Sequence, residues 1–398
     1  MKRFIALVSV LVLVGAACGS DDESGDTTAP PTTAGTTAAP GTTAGPGTTA
    51  SPGTTAPPVD DGACTPGQID GTVFELYNWS DYIDPELVPA FEAEYGVDVV
   101  ETTYDSNETM LAQVAAGGAS YDLIVPSDYM VSIMAEEGLL IPLQKSAISN
   151  IGNLDPTFTG LPYDPNDEYS VAYQWGTTGI GFSYAATDDE DPDSWAVIFD
   201  PAPGIKVSLL NDPRETMAAA LKYLGYSVNT TSQSELDEAV ELIKSIKDSI
   251  AKFDSDQFED DLVAGEIDIA HGYSGDFFGA YDDASDDNYD AYEDFGYIIP
   301  KEGAVAWVDT MAIPTTSDAI CTAHAFIDFI LDAENGAALT NYNFYASPNL
   351  AATEFIDEEI LEDETIYPSD EVFERLEFLE DTGDFELNYT DAFTEVKS

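Results

Sequence analysis

TVFELYNWSDYIDPELVPAFEAEYGVDVVETTY, residues 72–104, reads as strand, helix, strand. TVFELYN carries the aromatic and β-branched residues of a buried strand. Asp84-Pro85-Glu86 supplies a helix start, with proline in the first turn, and PELVPAFEAEYG stops at Gly96. VDVVETTY then returns as a second strand. The segment NWSDY, 78–82, fits neither a core nor a solvated loop: Trp79 and Tyr82 stand beside Ser80 and Asp81, just past the strand.

The same rhythm continues outward. NETMLAQVAAGG is a helix, YDLIVPS a strand and DYMVSIMAEEG a helix. Strands alternating with helices predict a largely parallel sheet covered on its faces. After residue 180 the rhythm restarts with IKVSLLN (strand), PRETMAAALKYLGY and SELDEAVELIKSIKDSI (helices) and EIDIAHGY (strand); AVAWVDTMAIP is a late strand and CTAHAFIDFILDAENGAALTNY is helical. Two successive α/β blocks predict two lobes. AYQWGTTGIGFSY, 172–184, reads as a crossing strand whose Gly176, Gly179 and Gly181 permit bending, and AVAWVDTMAIP, 304–314, as the return crossing. Doubly crossed lobes enclose a cleft that closes on a hinge. The expected boundaries are 71–176 plus 309–344 for lobe 1 and 180–306 plus 346–398 for lobe 2.

The chain has 398 residues, 44% of them hydrophobic, with 76 acidic and 12 basic residues and a formal charge of −64. Such a charge disfavours nucleic acid and anionic membrane surfaces as partners. Most of these acids must be solvated surface, as in a proteome adapted to salt, so only the placement of particular acids informs on a ligand. At the N-terminus, Lys2 and Arg3 precede the apolar run FIALVSVLVLVGAA and then GAACGS. This resembles a bacterial lipoprotein signal over 1–18, with Cys18 lipidated, although Gly15 stands where leucine is usual. The alternative is an ordinary secretory signal. Residues 19–66 repeat Thr-Thr-Ala with proline and glycine and read as a disordered tether; about 40 such residues reach roughly 35 Å as a flexible coil. Cys64 and Cys321 remain, two cysteines available for one disulfide outside the cytoplasm, though sequence does not show that they are close.

Open α/β sheets bind ligands outside the carboxyl ends of their strands. Trp79, Ser80, Asp81 and Tyr82 follow the first strand, and Ser127, Asp128 and Tyr129 follow YDLIVP. Asp212 and Glu215 follow IKVSLLN, and Tyr273 and Asp276 follow EIDIAHG. Trp307 and Asp309 lie two apart in AVAWVDT, on one face. Aromatic faces pack methylenes and attract cations by roughly 0.5–2 kcal/mol per contact, and carboxylates give charge-assisted hydrogen bonds to ammonium groups. The pattern suits an alkyl-ammonium ligand. Each residue also has a plainer reading. Asp212-Pro213-Arg214-Glu215 matches a helix capping box, Asp81 fits loop surface and Trp79 fits core. Asp309 is harder to dismiss, because an acid within an apolar strand needs a partner. Trp175 and Trp195 read as structural, and the acid runs 188–193 and 281–290 as solvated loops without calcium-loop spacing. His271 and His324 lack zinc spacing, and neither a nucleophile elbow nor a phosphate loop is present. Nothing in the sequence asks for a cofactor or metal.

The stretches 78–114, 121–140, 153–158 (NLDPTF), 169–184, 211–230, 301–314, 347–352 (SPNLAA) and 367–383 together resemble the spermidine/putrescine-binding proteins of bacterial polyamine ABC importers. The resemblance covers nearly all of 71–398. It implies a periplasmic-type two-lobed fold with a polyamine in its cleft and an ABC permease with its ATPase as partner. Read with the lipoprotein-like signal at Cys18, the chain is expected to be a monomer held at the outer face of the cytoplasmic membrane by its lipid. Matching positions put Trp79, Ser80, Asp81, Tyr82, Ser127, Tyr129, Asp212, Glu215, Trp307 and Asp309 in the site. Tyr273 stands where tryptophan is frequent, Asp276 fits a putrescine-type pattern, and Tyr345 before SPNLAA is a candidate wall. A glutamine of spermidine-preferring members has no clear equivalent near Leu379 and Glu380, so the choice between putrescine and spermidine stays open. Two other readings also stand: a receptor of this fold for another solute, such as a modified amino acid or an opine, and a secreted carboxylate-dependent hydrolase.

Overall fold

A computed structural model describes residues 63–188, 190–286 and 288–398. The signal and lipidation site at Cys18, and nearly all of the expected tether, lie outside these residues. The segment 72–104 folds as read: strand β1 (Val73–Trp79), a helix Leu87–Tyr95 that ends on Gly96 at φ 70°, and strand β2 (Asp98–Tyr104) parallel to β1. YDLIVPS contributes only the two-residue strand β3 (Leu123–Ile124), since Pro126 has no N–H to donate to a ladder. Strand β4 runs over Ser170–Ser183, β5 over Val207–Leu209, β6 over Ile250–Phe253 and β7 over Ile269–Tyr273. Strands β8 (Phe295–Ile298), β9 (Val305–Ala312) and β10 (Glu377–Phe378) complete the sheet. The order is β2-β1-β3-β9-β4-β7-β5-β6, with β10 beside β9 and β8 beside β4.

Strand β4 belongs to both halves of this sheet. Its residues 170–177 pair antiparallel with β9, whereas 178–183 pair with β7 and β8. Separate hydrophobic cores flank the transfer point. One gathers Phe74, Phe91, Phe326 and Met311; the second Trp195, Met217, Leu236 and Tyr389; the third Phe258, Phe277 and Tyr281. The β4 glycines serve packing here, not bending, and none has a positive φ. A Cβ on Gly176 would lie 2.7 Å from the Trp307 ring, and one on Gly181 2.1 Å from Phe277. Only hydrogen lets these rings lie flat on the strand.

The single helical stretch expected over 321–342 is two helices, Ile320–Ile330 and Ala333–Asn343. Asp332 breaks them apart, because its carboxylate accepts from the Glu334 N–H as a cap. Cys64 and Cys321 are joined as a disulfide with a Cα–Cα distance of 5.3 Å, tying the first described residues to the helix Ile320–Ile330. Trp195 is buried with its indole N–H on the Gly303 carbonyl at 2.9 Å, and Trp175 packs on Phe158 and Tyr367.

Candidate functional site

The strand ends converge on one cavity of about 610 Å³, mouth included. From β1 come Trp79, Ser80 and Tyr82; from the turn after β3, Ser127 and Tyr129; from the helix after β5, Asp212 and Glu215. Tyr273 ends β7, Asp276 lies in the helix after it, β9 supplies Trp307 and Asp309, and Tyr345 closes the wall. Residues nominated over more than 260 positions therefore share one slot.

Asp81 does not line it. The residue is exposed and sits at φ 51°, a left-handed turn conformation that aspartate tolerates. It stays close enough for its charge to raise the pKa values of Asp276 and Asp256. The structure adds four lining residues that the sequence reading does not name, Tyr104, Asn107, Ser255 and Asp256, and also lines the slot with Asp128, named after YDLIVP but not assigned to the site, and with Leu379, named only where the glutamine is missing. Tyr104 ends β2, so the strand-end rule covers it, and Asp128 sits between two nominated neighbours. Ser255 and Asp256 follow β6, a strand whose IAKF sequence has no clear alternation.

The rings form a continuous wall. Centroids lie 6.4 Å apart for Trp79–Tyr273, 6.0 Å for Tyr273–Trp307, 5.2 Å for Trp307–Tyr345 and 5.1 Å for Tyr345–Tyr82. The Trp79 indole N–H donates to the Val125 carbonyl at 2.9 Å, which fixes the ring's orientation. The Trp307 indole N–H is buried without a partner.

The carboxylates are held by short-range donors. Asp309 accepts from the Ser127 hydroxyl at 2.6 Å, and that hydroxyl accepts from Asn107 Nδ2 at 3.0 Å. The Tyr82 hydroxyl faces the same carboxylate without reaching hydrogen-bonding geometry. Asp212 caps the helix Pro213–Leu224, accepting from the N–H groups of Arg214 and Glu215 at 2.8 and 2.9 Å, while also lining the cavity. Capping and cavity lining are thus compatible at this residue. Asp276 accepts from the Tyr345 hydroxyl at 2.6 Å.

Charge is the site's unusual property. Burial pushes Asp309 and Asp276 up to about 7, Asp128 to about 8 and Asp212 to about 6. Glu215 rises well above its ordinary range through burial and then the Asp212 charge. Arg214 is the nearest buried cation, but its guanidinium is turned to the C-terminal tail. It binds Glu386 at 2.6 Å and Asn229 at 3.0 Å, and stacks 4.5 Å from the Tyr389 ring centroid. Among the described residues, no ion pair involves a carboxylate of the cavity lining. Acids buried this way ordinarily have a cationic partner or hold a proton. The described residues also contain no group of three or more acids, histidines or cysteines placed to hold a metal ion. Chemically, flat ring walls can pack methylenes, and carboxylate oxygens outside any ion pair can meet charged tips.

Comparison with known proteins agrees with this fold. The spermidine/putrescine-binding periplasmic protein of Salmonella typhimurium is 34% identical over 330 residues, covering 83% of this chain and 92% of that protein. A putrescine-binding periplasmic protein of Pseudomonas aeruginosa is 37% identical over 342 residues, covering 83% and 93%. Among solved structures, a putative spermidine/putrescine ABC transporter protein of Listeria monocytogenes superposes with a TM-score of 0.76 at 36% identity, covering 82% of this chain and 99% of that one. The fold is thus a two-lobed α/β binding-protein fold with crossing strands between the lobes. The model of the bacterial extracellular solute-binding proteins matches residues 86–368, and the chain belongs to that family.

Proposed function

We propose that this protein captures a polyamine, putrescine or spermidine, in the aromatic slot and delivers it to an ABC transporter permease with its ATPase. The observation that carries the reading is the set of buried carboxylates outside any ion pair among the described residues, whose charge Arg214 offsets only at Asp128, Asp212 and Glu215, set against a wall of rings. An anionic solute would add repulsion there, and a neutral sugar would leave the acids uncompensated. An aliphatic polyamine offsets them and fills the space between the rings. Its similarity to polyamine-binding relatives supports the same ligand class. The ligand leaves unchanged, so no bond is made or broken.

Thr177 and Thr178, where β4 changes partners, support lobes that divide as 71–176 plus 309–344 and 180–306 plus 346–398. Calorimetric titration of residues 59–398 tests the function. Tight, salt-sensitive binding of putrescine or spermidine is expected, with no heat from a neutral sugar. Binding of the sugar alone, or turnover of a glycan or peptide, would overturn the reading.

The protein works outside the cytoplasm, tethered through lipidated Cys18 and the Thr/Pro/Gly-rich segment as a monomer. Cys18→Ser is then expected to move it from the membrane fraction to the soluble fraction. A serine variant that stays with washed membranes would refute the anchor.

A further inference from the structure

Two hydrogen bonds span the cavity mouth, and neither is needed to build either half of the sheet. Ser80 Oγ, just past β1, donates to Asp256 Oδ1 at 2.9 Å, in the loop after β6. Asn211 Nδ2, just past β5, donates to Asp105 Oδ2 at 2.8 Å, just past β2. Each pair joins the carboxyl end of a strand in one half to that of a strand in the other. We infer that these two pairs are a clasp that holds the lobes shut over the bound solute, with Asn211 as the positioning residue. This rests on the cleft-binding reading above.

Asn211 is shaped for that task. Its own half engages its backbone N–H and its side-chain oxygen: the N–H donates to Ser255 Oγ at 2.9 Å, and Oδ1 accepts from the ammonium of Lys397. Lys397 is itself held over the Phe393 ring, 4.7 Å from its centroid, at the end of the helix Glu386–Val396. With Oδ1 fixed, the amide cannot flip, and Nδ2 points across the mouth. Ser255 belongs to the loop that also carries Asp256, so one pinned loop pair presents both second-half members of the clasp.

The clasp closes against repulsion. Asp105, Asp254 and Asp81 all act on Asp256 as like charges, and Asp81 acts on Asp276 within the slot. Bringing the halves together therefore concentrates negative charge at the mouth. A polycation inside the slot offsets that charge, so the clasp is stronger when the site is filled than when it is empty, where both pairs still form. The clasp members Asn211 and Asp105 do not line the cavity, so their removal acts on closure without removing a ligand contact.

The test is a double-mutant cycle on release rate. Stopped-flow displacement of spermidine from Asn211→Ala is expected to show release about tenfold faster, with association changed less than about twofold, the pattern of a lost closing contact. Asn211→Ala in an Asp105→Ala background is expected to add nothing further. Unchanged release from Asn211→Ala, or the same acceleration in both backgrounds, overturns the clasp. Small-angle scattering gives an independent reading: Asn211→Ala is expected to have a larger radius of gyration than the parent in the same buffer, and equal radii would count against the clasp. Should the parent bind no polyamine at all, the ligand reading falls while the scattering comparison still judges the clasp.

Discussion

Asp309→Asn is expected to weaken polyamine binding more than tenfold, a loss above about 1.4 kcal/mol, while leaving the fold intact. Asp309 sits in β9, a strand buried along its whole length, with one oxygen on the Ser127 hydroxyl at 2.6 Å. An asparagine Oδ1 can accept from the same hydroxyl, so the Asn107–Ser127–309 relay survives. What changes is the other atom, which turns from a negative acceptor into an N–H₂ donor aimed at an ammonium. The substitution also removes the need to bury a charge when the site is empty. Thermal denaturation of the unliganded variant is therefore expected at or above the parent temperature, with calorimetry reporting the lost affinity. Equal affinity would place Asp309 outside the binding contacts, and a lower melting temperature would mean that Asp309 serves the fold. Trp307, two residues earlier on the same face, provides the contrast. Its ring lies against Gly176 so tightly that a Cβ would meet it at 2.7 Å, and its removal would disturb packing as well as binding.

The first strand–helix–strand unit and the strand-end rule made most of this site legible in advance, because both follow from local pattern. Aromatic and β-branched content marks β1 and β2, the Asp84-Pro85-Glu86 start and the Gly96 stop bracket the helix Leu87–Tyr95, and open α/β sheets place ligands at strand ends. The rule failed where the strand itself was unreadable. Strand β6 is four partly buried or exposed residues, so Ser255 and Asp256 after it had no signal. It also failed at Asp81, where a left-handed turn, invisible in composition, turns one residue of NWSDY out of the slot while its neighbours face in. The glycines of β4 suggest bending when seen in sequence alone, yet they leave room for rings, because a close approach across a sheet depends on tertiary packing. The position of Tyr345 depends on a loop that pairs back onto β4 at Trp175. A pairing across that many residues leaves no trace in local periodicity.

The largest effect of solution conditions is expected from pH. With the cavity empty, Asp309 and Asp276 titrate near 7 and Asp212 near 6, because burial disfavours their charged forms. The amines of a polyamine stay protonated throughout this range, as an ordinary lysine does, with a pKa of about 10.4. Binding must therefore strip protons from the carboxylates that meet them, and each such proton makes affinity fall up to about tenfold per pH unit below the empty-site pKa. If two carboxylates are engaged, affinity is expected to drop by more than about a hundredfold between pH 8 and pH 5. The stability consequence has the opposite sign for the empty protein. A carboxyl whose folded pKa is raised favours folding most below its unfolded value near 4, and that contribution is lost as pH rises through 6–7. The ligand offsets the loss, so polyamine should raise the melting temperature strongly at pH 8 and little at pH 5. Titrations in buffers of different ionisation heat would show net proton release at pH 6–7. An affinity that stays flat from pH 8 to pH 5, in protein that circular dichroism shows to be folded at both, would mean that the buried acids are already ionised when empty. Attraction between them and the ligand would then have to come from charge that the fold tolerates without a partner, which their burial argues against.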